Sequence, residues 1–239
     1  MLKSIVVSQP MYLPWIGMFE QLNLCDVFVH YDDVQFPQGR TFINRVQIKT
    51  KDGIKWLTVP IDRKNSGKLI SETLISYNTN WREKHVSIIK QSFGKSKYKK
   101  DLFPLIEDIY SQKFDTISEL NIYSFELIAA YFDFKKTFFL SSELKIVGHS
   151  SQRLLDIVLK LKGTKYITGL GALKYINYDI FEENNIKLEY MEYNLNPYNQ
   201  LFSEFTPYVS ILDLIANEGK GGVNNINSQS VYWRTFKND

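Results

Sequence analysis

Short apolar runs separated by polar breaks dominate the start of this chain, and they predict alternating strands and helices. Ile5-Val6-Val7 is continuous and β-branched, the pattern of a buried strand. Gln9-Pro10 ends it, because proline cannot continue a hydrogen-bonded ladder and restrains the residue before it. Met11 to Leu22 then has helix-compatible apolar spacing, and Val27 to Tyr31 forms a second strand that runs into Asp32-Asp33. Strand, loop, helix, strand predicts a βαβ unit, hence a parallel sheet with a right-handed crossover. Ligands of such sheets bind beyond the carboxyl ends of the strands. Ser8-Gln9 and Asp32-Asp33 both fall at that edge.

Further along, Asn44 to Lys49 and Lys55 to Val59 flank Asp52-Gly53, a hairpin signal. Asp62 to Lys68 is a polar loop without P-loop spacing, and Leu69 to Ser76 predicts another strand. Three helices follow between about 80 and 133. Asn80 is placed to cap the first, with Trp81, His85, Ile88, Ile89 and Phe93 on one face and Gly94 at its end. Leu102, Leu105, Ile106 and Ile109 mark the second; Leu120, Tyr123, Leu127, Ile128 and Tyr131 mark the third. Thr137 to Leu140 resumes as a strand and Ser151 to Leu161 as a helix. Tyr166-Ile167-Thr168 is a strand running into Gly169-Leu170-Gly171-Ala172, which lacks the full dinucleotide glycine spacing. After a short helix near Tyr178 to Asn184, the alternating Lys187 to Tyr193 predicts a strand near the sheet edge. Val209 to Asn217 is a helix, and Gly219 to Gly222 releases a polar tail. The expectation is one α/β domain, 1–239, Rossmann-like, with a mostly parallel sheet, a β-hairpin insertion and a helical segment.

Composition narrows the function classes. A net charge of +3 with acids and bases interspersed is too mild to argue for DNA or other nucleic acid. The single cysteine, Cys25, excludes an intrachain disulfide, and with three scattered histidines it offers no metal-ligand spacing. The first strand follows Met1-Leu2-Lys3-Ser4 directly and no apolar run reaches membrane-spanning length, so a cytoplasmic protein is expected.

Several residue types suit a small polar ligand. Asp32 and Asp33 end a strand beside a polar loop, where neighbouring carboxylates can act as acid or base or hold an ammonium. Strand alternation predicts that the two point to opposite sides. Gln9, Asn44 and Arg45 suit a sugar or carboxylate, arginine through its fixed fork. His85 lies on an apolar helix face and is the preferred base, against the reading that it is only a packed core histidine. His30 reads as packed within its strand, and His149 as the residue that introduces a helix. Cys25 has no base near it in sequence and is a poor candidate nucleophile.

Gln9-Pro10-x-Tyr12-Leu13-Pro14-Trp15-x-Gly17-x-Phe19 and Asp26-Val27-Phe28-Val29-x-x-Asp32-Asp33-Val34-Gln35-Phe36 resemble the WbqC-like family. Asn44-Arg45-x-x-Ile48-Lys49, Trp56 to Pro60, Trp81-x-x-Lys84-His85, Tyr166 to Gly169 and Ser210 to Leu214 continue the resemblance over nearly the whole chain. It implies a transferase of bacterial surface-polysaccharide (O-antigen) synthesis. Such an enzyme would move a glycyl or other acyl group to the amine of a nucleotide-linked sugar. On that reading His85, Asp32 and Asp33 are catalytic, and Gln9, Tyr12, Trp15, Gln35, Asn44, Arg45, Gly169 and Gly171 contact substrate. The acyl or aminoacyl donor leaves no signature. A weaker likeness, of the opening unit to class I synthetases and nucleotidylyltransferases, implies adenylyl transfer; Pro14-Trp15-Ile16-Gly17 stands where those enzymes carry histidines. A non-catalytic binding protein for the same nucleotide sugar is the remaining alternative.

Overall fold

A computed structural model describes residues 2–62, 67–202 and 204–236. The chain order is β1 (Ser4–Ser8), α1 (Ile16–Leu24), β2 (Val27–His30), β3 (Arg45–Thr50), β4 (Gly53–Thr58), α2 (Trp81–Phe93), α3 (Lys99–Ser111) and α4 (Ile117–Tyr131). There follow β5 (Thr137–Leu140), α5 (Ser150–Lys160), β6 (Lys165–Thr168), α6 (Tyr178–Glu183), β7 (Lys187–Glu192), α7 (Ile211–Glu218), β8 (Gln229–Tyr232) and α8 (Trp233–Phe236). Among the described residues, six strands form one sheet in the order β5-β2-β1-β6-β7-β8, parallel except for β8. β3 and β4 form a separate antiparallel hairpin, as Asp52-Gly53 predicts. No described helix is long and apolar enough to cross a membrane.

Alternation along the strands sorts side chains into two cores. Val6, Phe28 and Ile167 are register partners on one face, packed with α1, α3, α4 and α7. Ile5, Val27, Tyr166 and Leu188 face the other way, onto Leu154, Leu155 and Val158 of α5 and Phe181 of α6. α1 therefore crosses from β1 to β2 on one face, and α5 crosses from β5 to β6 on the other. The crossover direction reverses between β1 and β6, which makes that boundary the topological switch point.

Three local expectations are corrected. α1 starts at Ile16 rather than Met11, because Pro10 and Pro14 bracket a buried turn in which Leu13 has φ 39°. Leu69 to Ser76 forms no strand: it holds a single 3₁₀ turn, Ile70–Glu72, and isolated bridges from Leu69, Leu74 and Ile75. β7 lies next to the sheet edge, as its alternation predicts, and the polar tail supplies the edge strand β8 on its outer side. Asn80 occupies the N-cap of α2, but its side chain bonds Glu83 instead of the helix backbone. Of the polar loop 62–68, residues 63–66 lie outside the described residues.

Candidate functional site

A cavity of about 360 Å³ opens where the chain leaves β2 and β6, the two neighbours of β1. Tyr31, Asp33 and Gln35 come from the segment after β2, Tyr175 from the segment after β6, and His149 and Arg153 from the start of α5. Its size falls within the usual range for small-molecule sites, and its place beyond the strand ends is where α/β sheets bind ligands. A larger trough of about 840 Å³ runs along α2 and α3, among residues far in sequence from the parallel strand ends.

Asp32 and Asp33 do not diverge as strand alternation predicts. β2 stops at His30, so both lie in irregular chain and both reach the Ser141 hydroxyl, at 3.0 and 2.5 Å. Asp32 also accepts from Ser142 N–H at 3.0 Å and the Ser142 hydroxyl at 2.7 Å, and it is buried. It ties the end of β2 to the end of β5, with its lone pairs in use. Asp33 instead pairs with Arg153, whose Nε donates to the Ile146 carbonyl at 3.1 Å. The Arg153 guanidinium lies 5.0 Å from the Tyr31 ring centre. Burial alone would lower its pKa, but Asp33 and Tyr31 outweigh burial and raise it. One wall of the cavity thus carries an acceptor, Asp33, beside a fixed donor, Arg153. Such a wall can hold an ammonium or hydroxyls on one side and an oxyanion on the other.

The turn after β1 is closed. Tyr12, Leu13 and Pro14 are buried, the Ser210 hydroxyl donates to the Leu13 carbonyl, and Ile211 N–H donates to the Pro14 carbonyl, each at 2.8 Å. The Trp15 ring lies across Gly17, where a Cβ would come within 2.4 Å of it, and packs on Tyr193 at 4.8 Å. Gly169 is held close to the Tyr193 hydroxyl, 2.9 Å from where its Cβ would stand, while Gly171 faces open space. Gln9 is half-buried just beyond β1. Glu20, on α1, is fully buried. Burial pushes its pKa up to about 7, against a weaker downward pull from the Ser228 hydroxyl.

The remaining expected residues lie elsewhere. His85 is buried with its Nδ1 3.0 Å from the Tyr12 hydroxyl, which also meets the Tyr110 hydroxyl. Burial lowers its pKa to about 4, more than the Thr58 carbonyl restores, so the ring is neutral at neutral pH. Asn44 donates to the Val59 carbonyl at 3.0 Å, closing the hairpin. Arg45 lies 3.5 Å over the Trp56 ring. The structure therefore brings Asp33 and Gln35 together in the cavity, Trp15 and Gly169 together against Tyr193, and Tyr12 with His85 in the core. Asn44 and Arg45 stay on the hairpin.

Arg153, Tyr31, Tyr175 and His149 are cavity residues that sequence reasoning passed over. Arg153 had one readable signal: a charged side chain beside Leu154, Leu155 and Val158 on the inward stripe of α5 is out of place unless paired. The other three are joined only by the fold.

Fold and site together define an α/β protein with a parallel sheet and a small-molecule-sized cavity at its carboxyl edge. The model of the WbqC-like protein family matches residues 9–225, and the chain belongs to that family. It is 30% identical over 221 residues to Uncharacterized protein Rv1507c of Mycobacterium tuberculosis (strain ATCC 25618 / H37Rv), covering 91% of this chain and 95% of that protein. No solved structure matches.

Proposed function

We propose that the protein transfers an acyl or aminoacyl group, such as glycyl, to the amine of a nucleotide-linked sugar used in bacterial surface-polysaccharide synthesis. The observation that carries this reading is the Asp33–Arg153 pair in the wall of the strand-end cavity. The carboxylate suits the substrate ammonium, and the guanidinium suits a carbonyl oxygen or phosphate as negative charge develops. Tyr31 and Tyr175 supply ring faces for the sugar or base. Asp32, fully engaged with Ser141 and Ser142, holds the wall in place. The closed turn after β1 speaks against adenylyl transfer, because the stretch that would cradle the phosphates is buried beneath Ser210 and Ile211.

Mass spectrometry of nucleotide sugars from a strain lacking the gene tests the reading. The acylated nucleotide sugar should disappear and its free-amine precursor accumulate. An unchanged pool sinks the proposal.

A further inference from the structure

We propose that His149 is the catalytic base of this transfer, an assignment that rests on the reading of the cavity given above. The chain has three histidines, and their surroundings differ sharply. His30 is buried with Nε2 3.0 Å from Glu126 Oε1. His85 is buried, with its Nδ1 held by the Tyr12 and Tyr110 hydroxyls and the Thr58 backbone also against it. His149 alone is exposed, and it lines the cavity with Asp33 and Arg153. Its ring makes no hydrogen bond or ion pair among the described residues, so both nitrogens are open to a ligand.

The chain around it is shaped to present this residue. Gly148 has φ 104° and Ser150 φ 57°, so the backbone turns sharply on either side of an extended His149. The His149 carbonyl accepts from Arg153 N–H at 3.4 Å, which sets the imidazole one helical turn before the guanidinium. One cavity wall therefore offers a carboxylate, a guanidinium and a free imidazole.

The step balances with an acyl thioester or ester as donor. The substrate ammonium, held by Asp33, first loses one proton to solvent. Its nitrogen attacks the donor carbonyl carbon, and the imidazole takes the second nitrogen proton as the C–N bond forms. The tetrahedral oxyanion collapses, the C–S or C–O bond breaks, and the imidazolium returns that proton to the leaving sulfur or oxygen. An amide and a free thiol or alcohol result.

The test is complementation of the deletion strain with wild-type, His149→Gln and His85→Gln alleles, reading the rate at which the acylated nucleotide sugar reappears. Wild type and His85→Gln should restore it. His149→Gln should slow it roughly 100-fold, the usual worth of a positioned base, with protein level and circular dichroism unchanged. His149→Asn serves if the glutamine variant does not fold, and should be equally slow. Full restoration by a folded His149 variant overturns His149 while leaving the transferase reading intact. A deletion strain with unchanged nucleotide sugars overturns both.

Discussion

Glu20→Gln isolates a buried charge and its effect can be worked from the structure. The Glu20 carboxyl is removed from water, and burial moves its pKa from 4.5 to about 7 against a weaker pull from the Ser228 hydroxyl. At about 1.4 kcal/mol per pH unit that is at most about 3 kcal/mol. The sign follows from proton counting. Between 4.5 and 7 the folded state holds a proton that the unfolded chain has released, so stability falls as pH rises and the cost is complete above 7. Glutamine has the same shape and no charge to bury. Urea denaturation followed by tryptophan fluorescence should therefore show Glu20→Gln gaining on wild type by about 2 kcal/mol between pH 5 and pH 8. His85 works in the opposite direction. Its pKa falls from 6.5 to about 4, so the unfolded chain binds the extra proton and stability rises with pH across that window. The two slopes oppose each other in wild type, and each single variant should unmask the other. A stability difference between Glu20→Gln and wild type that stays constant from pH 5 to pH 8 would refute the reasoning, because Glu20 would then not be titrating in the folded state.

Three further outcomes follow from the contacts. Arg153→Met leaves Asp33 largely buried without its partner and should cost about 3–5 kcal/mol in urea midpoint analysis; it should also abolish calorimetric binding of the nucleotide sugar. Gly17→Ala places a methyl group 2.4 Å from the Trp15 ring and 2.6 Å from Tyr193, so it should cost about 1–3 kcal/mol and shift the tryptophan emission. Thr116→Ala removes the hydroxyl that accepts from Glu119 N–H in the capping box of α4, and should lower stability by about 1 kcal/mol in thermal melts.

Local chain physics alone determined the strands and helices whose signals lie within a few residues. β-branched runs at Ile5 to Val7 and Val27 to Val29, the helix spacing from Trp81 to Tyr131, and Asp52-Gly53 between two strands were enough for the parallel opening unit, the helical segment and the hairpin. Pro14 was a visible warning against a helix starting at Met11, but helix-like apolar spacing concealed that Tyr12 and Leu13 are buried in a turn. β8 was invisible because its partner, β7, is supplied some 40 residues earlier and a short polar segment carries no strand signal by itself. Asp32 and Asp33 were legible as polar residues at a strand end. Which of them lines the cavity was settled by Ser141, Ser142 and Arg153, more than 100 residues away, through hydrogen bonds that no local pattern encodes. The histidines make the same point. A histidine on an apolar helix stripe and one before a helix look like stronger and weaker candidates in sequence. Only the packing of Tyr12 and Tyr110 around His85, and the opening beside α5 at His149, reverses their accessibility. Secondary structure is largely a matter of near neighbours, whereas burial and partnership of a polar group depend on which distant segments the fold brings against it.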